Sequence, residues 1–222
     1  MSNDGRADAT GSDSSATSIR AANTATRHGY QPDPWHHLRE LTDARIALGR
    51  AGISLPTAAH LSFSLAHAQA RDAVHTRFEP ETVATDLAGL GIDSIAVNSQ
   101  AATEQNRQTY LQRPDLGRIL TTESAERLDR RGGKPGPDIV IVVGDGLSAL
   151  AAHRHGVALT QRLHQAFQSR RLRMAAVVVA SGARVALADD IGERLGAQLS
   201  IIWLGERPGL SNTDSLGAYL TW

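Results

Sequence analysis

The chain of 222 residues has no cysteine, only two methionines and 4% aromatic residues. The missing cysteine removes disulfides, thiolate zinc sites and thiol nucleophiles together, and fits a reducing compartment. So few aromatics argue against a stacking platform for single-stranded nucleic acid. Net charge is also lacking: Lys plus Arg and Asp plus Glu each number 23. No global field therefore favours a polyanion, and any charged partner must be met locally. No run approaches the roughly 18 consecutive apolar residues of a membrane span, and the N-terminus lacks the apolar core of a secretory signal. The composition reads as a soluble, unexported protein whose partners include neither nucleic acid nor membrane. What is present, 41% hydrophobic and 21% charged residues, suffices for one good core or two small ones.

Residues 1–31 are rich in Ser, Thr, Ala, Asn, Asp and Gly, with almost no large apolar residue before Tyr30. Such a segment cannot bury enough surface to offset its ordering entropy, so it reads as a disordered tail. Residues 32–137 read as a helical and mixed region. Leu38, Leu41, Ile46 and Leu48 recur at near-helical intervals after Trp35, and Gly49 stops that pattern. Ser54-Leu55-Pro56 opens a second helix, carried by Leu61, Leu65 and Ala68 to about His75. A short helix over residues 81–89 and a strand over Asp93–Asn98 follow, and Arg113–Arg118 punctuates the chain before a helix carrying Ile119, Leu120, Ala125 and Leu128.

From Asp138 the pattern alternates strand and helix. Ile139–Val143 and Ala175–Ala180 are β-branched or small apolar runs suited to strands covered on both faces. Between them a helix is expected from about Ser148 to Arg171. Arg184–Leu187 reads as a short extended segment, Asp189–Gly196 as a short helix with acidic residues at its positive end, and Leu199–Leu204 as the last strand. The expected fold is α/β, an N-terminal helical lobe followed by a small Rossmann-like, mainly parallel sheet with flanking helices over residues 138–222. Loops 144–148, 181–185 and 205–210 then lie at the strand ends where such sheets bind ligands.

Two of these loops carry motifs. Gly144-Asp145-Gly146-Leu147-Ser148-Ala149 matches a G-x-G-x-x-A dinucleotide fingerprint between a strand and a helix. The acidic ribose ligand due about twenty residues on is absent, since Leu163, His164 and Gln165 occupy that zone. The bland reading is a glycine turn that ends a strand, with Asp145 as a cap or a polar pocket residue. Gly205-Glu206-Arg207-Pro208-Gly209-Leu210 aims one carboxylate beyond the sheet edge. The pairs His36-His37 and His153/His155 lack the carboxylate-bearing spacing of a metal motif, and Ser148 does not sit in G-x-S-x-G.

Taken together, Tyr110–Arg118, Asp145–Ser148, Asp190–Glu193 and Gly205–Leu210 resemble, in order and spacing, the small subunit (light chain) of ethanolamine ammonia-lyase. The resemblance runs from about Pro34 to Trp222. It implies an adenosylcobalamin-dependent lyase subunit, in an enzyme that converts ethanolamine to acetaldehyde and ammonia by radical chemistry. The substrate is expected on a large partner subunit, in a hetero-oligomer with six copies of each chain, and the small subunit helps to enclose the cofactor between them. The family's cobalamin contacts fall on Val185, in Gly182-Ala183-Arg184-Val185, and on Glu206. No catalytic acid, base, nucleophile or metal ligand is implied for this chain. A third family contact is a cysteine in a C-terminal segment; this sequence has none, so the C-terminal part of the family fold is expected to be missing. The resemblance also implies a cytoplasmic location, including packaging in a bacterial microcompartment, although residues 1–31 show no amphipathic stripe. No D-x-H-x-x-G occurs, in agreement with base-on cofactor binding. Two other readings compete: a stand-alone dinucleotide-binding oxidoreductase, resting on Gly144–Ala149, and an assembly module without cofactor contact.

Overall fold

A computed structural model describes residues 29–102 and 107–222. The tail expected over residues 1–31 therefore lies, up to residue 28, outside the described residues. The chain divides into two compact units, one running to Leu65 and the other from Ala66 to Trp222.

In the first unit, strand β1 (Tyr30–Gln31) pairs antiparallel with β2 (Arg50–Ala51). The helix expected after Trp35 is only a 3-10 segment, His36–Glu40. Local hydrogen bonding explains the correction. Asp33 Oδ1 accepts from the Trp35 N–H at 2.9 Å and Thr42 Oγ1 from the Ala44 N–H at 3.1 Å, short-range bonds that compete with the helical ladder. Ala47 then sits at φ 49°, in the left-handed region where a right-handed helix cannot continue. Leu41, read as part of an apolar stripe, is 81% exposed. Helix α1 (Thr57–His75) begins directly after Pro56, as expected.

The second unit carries the sheet. Helix α2 (Pro80–Gly89) leads into β3 (Ser94–Asn98). After α3 (Arg107–Gln112) and α4 (Thr122–Asp129) come β4 (Ile139–Gly144), the single turn α5 (Ala149–Ala151), a π-helical segment (Ala152–Gly156) and α6 (Val157–Ser169). Strand β5 (Val177–Ser181), helix α7 (Leu187–Leu195), β6 (Leu199–Gly205) and β7 (Leu216–Thr221) complete the described chain. The sheet order is β3-β5-β4-β6-β7, parallel throughout except for the β6–β7 pair. The fold is α/β, with a mainly parallel Rossmann-like sheet and flanking helices.

Strand alternation explains the layers. All six residues of β4 are buried, and they face two ways. Val140 and Val142 join Leu128 of α4 and Leu187, Ile191 and Leu195 of α7 in one cluster. Ile139, Ile141 and Val143 join Val83 and Leu87 of α2 and, from α6, Leu163 and Phe167 in the other. Each fully buried Val, Ile or Leu contributes roughly 1.5–3 kcal/mol, so this central strand anchors both layers. Trp203 of β6 faces the second layer, and its indole N–H donates to the buried Thr160 hydroxyl at 3.1 Å.

Three sequence expectations are corrected in this unit. The sheet includes β3, upstream of residue 138. Arg184–Leu187 is not extended: Leu187 N–H donates to Arg184 O and Ala188 N–H to Val185 O, because Leu187, Ala188, Ile191 and Leu195 bury as one helical face. Leu199–Gly205 is not the last strand, since the segment returns through a ten-residue loop to lay β7 along the sheet edge.

Candidate functional site

The carboxyl ends of β3, β5, β4 and β6 share one edge of the sheet, as their parallel pairing requires. From that edge the chain leaves β4 towards β5 on one side, and β6 towards β7 on the other. Open α/β sheets place ligand crevices at such a reversal. The three loops expected to face a ligand all emerge here, and they differ in what remains free.

The loop after β5 is clamped from several directions. Ser99 Oγ donates to Gly182 O at 2.7 Å, and Ala183 N–H donates to Asp145 Oδ1 at 2.9 Å. The buried Tyr110 hydroxyl donates to Ala183 O at 2.9 Å, and Arg184 N–H to Gly117 O at 2.9 Å. The Arg184 guanidinium lies 4.3 Å above the Tyr110 ring, a cation–π contact, and its Nη2 donates to Tyr110 O at 3.2 Å. This clamping presents Val185, 40% exposed, at a fixed place in front of α7. Its carbonyl already accepts the Ala188 N–H, which leaves one lone pair for a ligand donor.

The loop after β4 is closed. Gly146 adopts φ 54°, and a Cβ there would run into the Gly205 carbonyl, so glycine is required for the turn to lie against the end of β6. Leu147 N–H donates to Gly205 O at 2.8 Å, Gly146 N–H to Asp145 Oδ1 at 3.0 Å and Ala151 N–H to Ser148 Oγ at 3.3 Å. The Gly146 and Leu147 amides, which a pyrophosphate would need, are thus spent inside the protein. The fingerprint is a packing turn, and the dinucleotide reading loses its only support. Asp145 is a buried acceptor for two backbone amides, and Ser148, also donating to Thr213 O, is a cap rather than a nucleophile.

The loop after β6 is open at its carboxylate. Glu206 N–H donates to Ser215 O at 2.9 Å, and Glu206 Oε1 accepts from the Tyr219 hydroxyl at 2.6 Å. This bond raises the Tyr219 phenol above its ordinary pKa, because ionising it would lose the donated hydrogen, and burial and the Glu206 charge act in the same direction. Oε2 has no partner among the described residues. A Cβ at Gly217, in register with Leu204, would meet Glu206 Oε1, so the bare strand position makes room for the carboxylate. The far end of the loop is pinned by Asp214, which accepts from Arg154 at 3.0 Å and lies 3.2 Å from His155 Nε2. The Arg154 hydrogen bond, then His155, holds the Asp214 carboxyl below its usual range. Both partners belong to the π-helical segment, which turns neighbouring side chains towards the loop.

Beside these loops lies a hollow of about 490 Å³ lined by Val74, Leu111, Pro114, Leu147, Arg184, Arg207 and Pro208. Val185 and Glu206 are the immediate sequence neighbours of its two arginines. The blocks Tyr110–Arg118, Asp145–Ser148 and Gly205–Leu210 all contribute to the hollow or to the clamp beneath it. Asp190 ties the fourth block to the same side, accepting from Leu120 N–H at 3.3 Å and from Arg194 Nε at 2.7 Å.

The sequence profile of the ethanolamine ammonia-lyase light chain (EutC) family matches residues 32–222. The chain belongs to that family. It is similar to the ethanolamine ammonia-lyase small subunit of Azotobacter vinelandii, 53% identical over 194 residues that span 86% of this chain and 70% of the relative. The small subunit of Pseudomonas syringae pv. tomato is 52% identical over 192 residues, 86% of this chain and 66% of the relative. That of Ralstonia nicotianae is 50% identical over 192 residues, 86% and 70% of the two chains.

Within this light-chain family member, Tyr219, Arg184, Tyr110 and Asp214 complete the site, and the sequence alone assigned none of them a role there. Tyr219 had a signal: Leu216–Thr221 combines an aromatic, apolar residues and a β-branched threonine after a turn-rich stretch, the makings of an edge strand. For Arg184 over Tyr110 no local pattern exists, because the partners stand 74 positions apart. The paired histidines have roles within the protein, His153 Nε2 accepting the Glu79 N–H at 3.2 Å and His155 facing Asp214. Among the described residues no group of three or more His, Cys, Asp and Glu could hold a metal ion, and no helix is long and apolar enough to cross a membrane.

Proposed function

We propose that this chain is the noncatalytic small subunit of an adenosylcobalamin-dependent lyase that converts ethanolamine to acetaldehyde and ammonia. In this reading it helps to enclose the cofactor at the interface with a large subunit that holds the substrate. Adenosylcobalamin supplies the radical chemistry through its cobalt–carbon bond. The chain's own residues position and shield it. The observation that carries the reading is Glu206, half-buried at the sheet's carboxyl edge, fixed through Oε1 by Tyr219 and open at Oε2.

The chemistry of the donors fits. A corrin rim carries side-chain amides, whose N–H groups seek acceptors. Glu206 Oε2 and the second lone pair of the Val185 carbonyl are acceptors held on clamped backbone, and the exposed Val185 side chain offers an apolar contact to the macrocycle. The residues from 138 onward then act as the cobalamin-contacting domain. The assembly is read as six copies of each subunit, in the cytoplasm and, where a shell is produced, inside a microcompartment.

The test is reconstitution with the large subunit. Acetaldehyde formation dependent on adenosylcobalamin is expected only when both chains are present, and equal activity without this chain would sink the proposal. In the assembled complex Glu206→Ala should weaken cobalamin binding about tenfold, the scale of one hydrogen bond to a charged acceptor. Unchanged affinity would favour an assembly module that leaves the cofactor untouched. Native mass spectrometry of the complex checks the six-plus-six composition.

A further inference from the structure

The hollow beside Glu206 has a charge imbalance that the described residues do not neutralise. Its walls are largely apolar, from Val74, Leu111, Leu147 and two prolines, yet Arg184 and Arg207 both line it. Several other arginines of the fold do have a carboxylate partner: Arg113 lies 2.7 Å from Asp115, Arg154 3.0 Å from Asp214, Arg173 2.6 Å from Asp138 and Arg194 2.7 Å from Asp190. Among the described residues neither Arg184 nor Arg207 is paired with a carboxylate. Two cations face an apolar hollow with no counterion among the described residues.

Arg184 is also set in advance. Its backbone N–H is held by Gly117 O, its Nη2 by Tyr110 O, and its plane by the Tyr110 ring. Its Nε is buried without a hydrogen-bond partner, a desolvation that the fold leaves uncompensated. A guanidinium fixed in this way meets an anion at little entropic cost, and its fork suits the paired oxygens of a phosphate group. Arg207 stands exposed on the turn after β6, free to close from the other side.

We propose that Arg184 and Arg207 form a binding site for a phosphate-class anion attached to an apolar body. A volume of about 490 Å³ exceeds what a bare ion fills, and its apolar walls ask for more than an ion. The source of the anion rests on the cobalamin reading. Cobalamin's rim carries amides rather than carboxylates, and the anionic group of its nucleotide loop is a single phosphodiester. With Val185 and Glu206 taking rim amides, the arginines next to each in sequence take that phosphodiester. Free phosphate is the other source of the same chemistry.

Spectral titration of the assembled complex with cyanocobalamin and with cobinamide, the same corrin lacking the nucleotide loop and its phosphate, tests the site by binding alone. Arg207→Gln and the double variant with Arg184→Gln should weaken cobalamin binding by about tenfold or more and leave cobinamide unchanged. Glu206→Ala should weaken both ligands alike. Arginine variants that weaken both ligands equally, or neither, overturn the assignment to the nucleotide loop; a Glu206 variant that changes neither overturns the rim contact and leaves the anion site standing. A second arm follows the melting temperature of the full chain with inorganic phosphate at constant ionic strength. A phosphate-dependent rise lost in Arg207→Gln identifies free phosphate as the ligand, and no response in either arm overturns the anion site altogether. Because Arg184 is anchored in the fold, circular dichroism accompanies its variant, and the exposed Arg207 keeps the test decisive if Arg184→Gln unfolds.

Discussion

The turns that end β4 and β6 look alike in sequence and behave oppositely in the fold. Each follows a largely apolar strand, each is bracketed by glycines, and each carries one acid, Asp145 or Glu206. Asp145 is 6% exposed and spends Oδ1 on two backbone N–H groups, from Gly146 and Ala183. Glu206 gives one oxygen to a phenol at the rim and keeps the other. The β4 turn is central in the sheet and lies against the end of β6, so its polar groups are consumed by neighbours. The β6 turn opens onto a ten-residue loop and an edge strand that leave one side bare. A strand-end carboxylate becomes available to a ligand only where the tertiary neighbours leave it unsatisfied.

The strongest challenge to this contrast is Gly146→Val. A β-branched residue at φ 54°, with its Cβ driven into the Gly205 carbonyl, should lose at least about 3 kcal/mol in urea unfolding. A tolerated variant would show that the β4 turn is not packed shut. Asp145→Ala should follow at about 2–3 kcal/mol, since two buried donors lose their acceptor, with Asp145→Asn recovering much of the loss through its remaining carbonyl oxygen. Glu206→Ala, by contrast, should change stability by about 1 kcal/mol or less, while acting on cofactor binding. Equal destabilisation by the two alanine variants would erase the distinction between a structural and an available acid.

Smaller effects test how the open loop is held. The folded Asp214 carboxyl lies below its ordinary value of 3.8 through Arg154 and His155. Its contribution to stability is therefore fully present above that value and is lost as pH falls through the lowered folded value. Wild type should lose more stability than Asp214→Asn between about pH 6 and about pH 3, measured by urea midpoints; parallel profiles would dismiss the pin. The Tyr219 phenol is raised above 10.0 by Glu206. The stability it adds is present below that pH and lost as pH rises through the folded value. Ultraviolet titration should return Tyr219 towards its ordinary value in Glu206→Gln, and an unshifted titration would break the Tyr219–Glu206 link.

Much of the scaffold was legible because it is written locally. The continuous β-branched runs at Ile139–Val143 and Val177–Val179 announce strands covered on both faces, and the segment Asp189–Gly196, with acidic residues at its start, announces a helix against them. The helix expected after Trp35 failed because Asp33 and Thr42 offered the backbone shorter-range partners than a helix does. Strand β7 was missed because an edge strand pairs on one side only and carries a mixed, largely exposed pattern. The site was legible only as loops. The grip of Tyr110 on Arg184 and of Tyr219 on Glu206, and the closing of Gly146 against Gly205, depend on pairings across the chain that leave no local periodicity.

By itself the sequence determined the alternation of strands and helices, the parallel sheet and the loops at its carboxyl edge, because apolar periodicity and turn residues act over a few positions. Its ordered blocks also pointed to the family to which the chain belongs. Only the tertiary structure decided which of two similar glycine turns is sealed and which is open. Hydrogen-bond satisfaction belongs to a group's neighbours in space: among the described residues Asp145 has two amides within reach, Glu206 has one hydroxyl, and Arg184 has an aromatic face but no counterion.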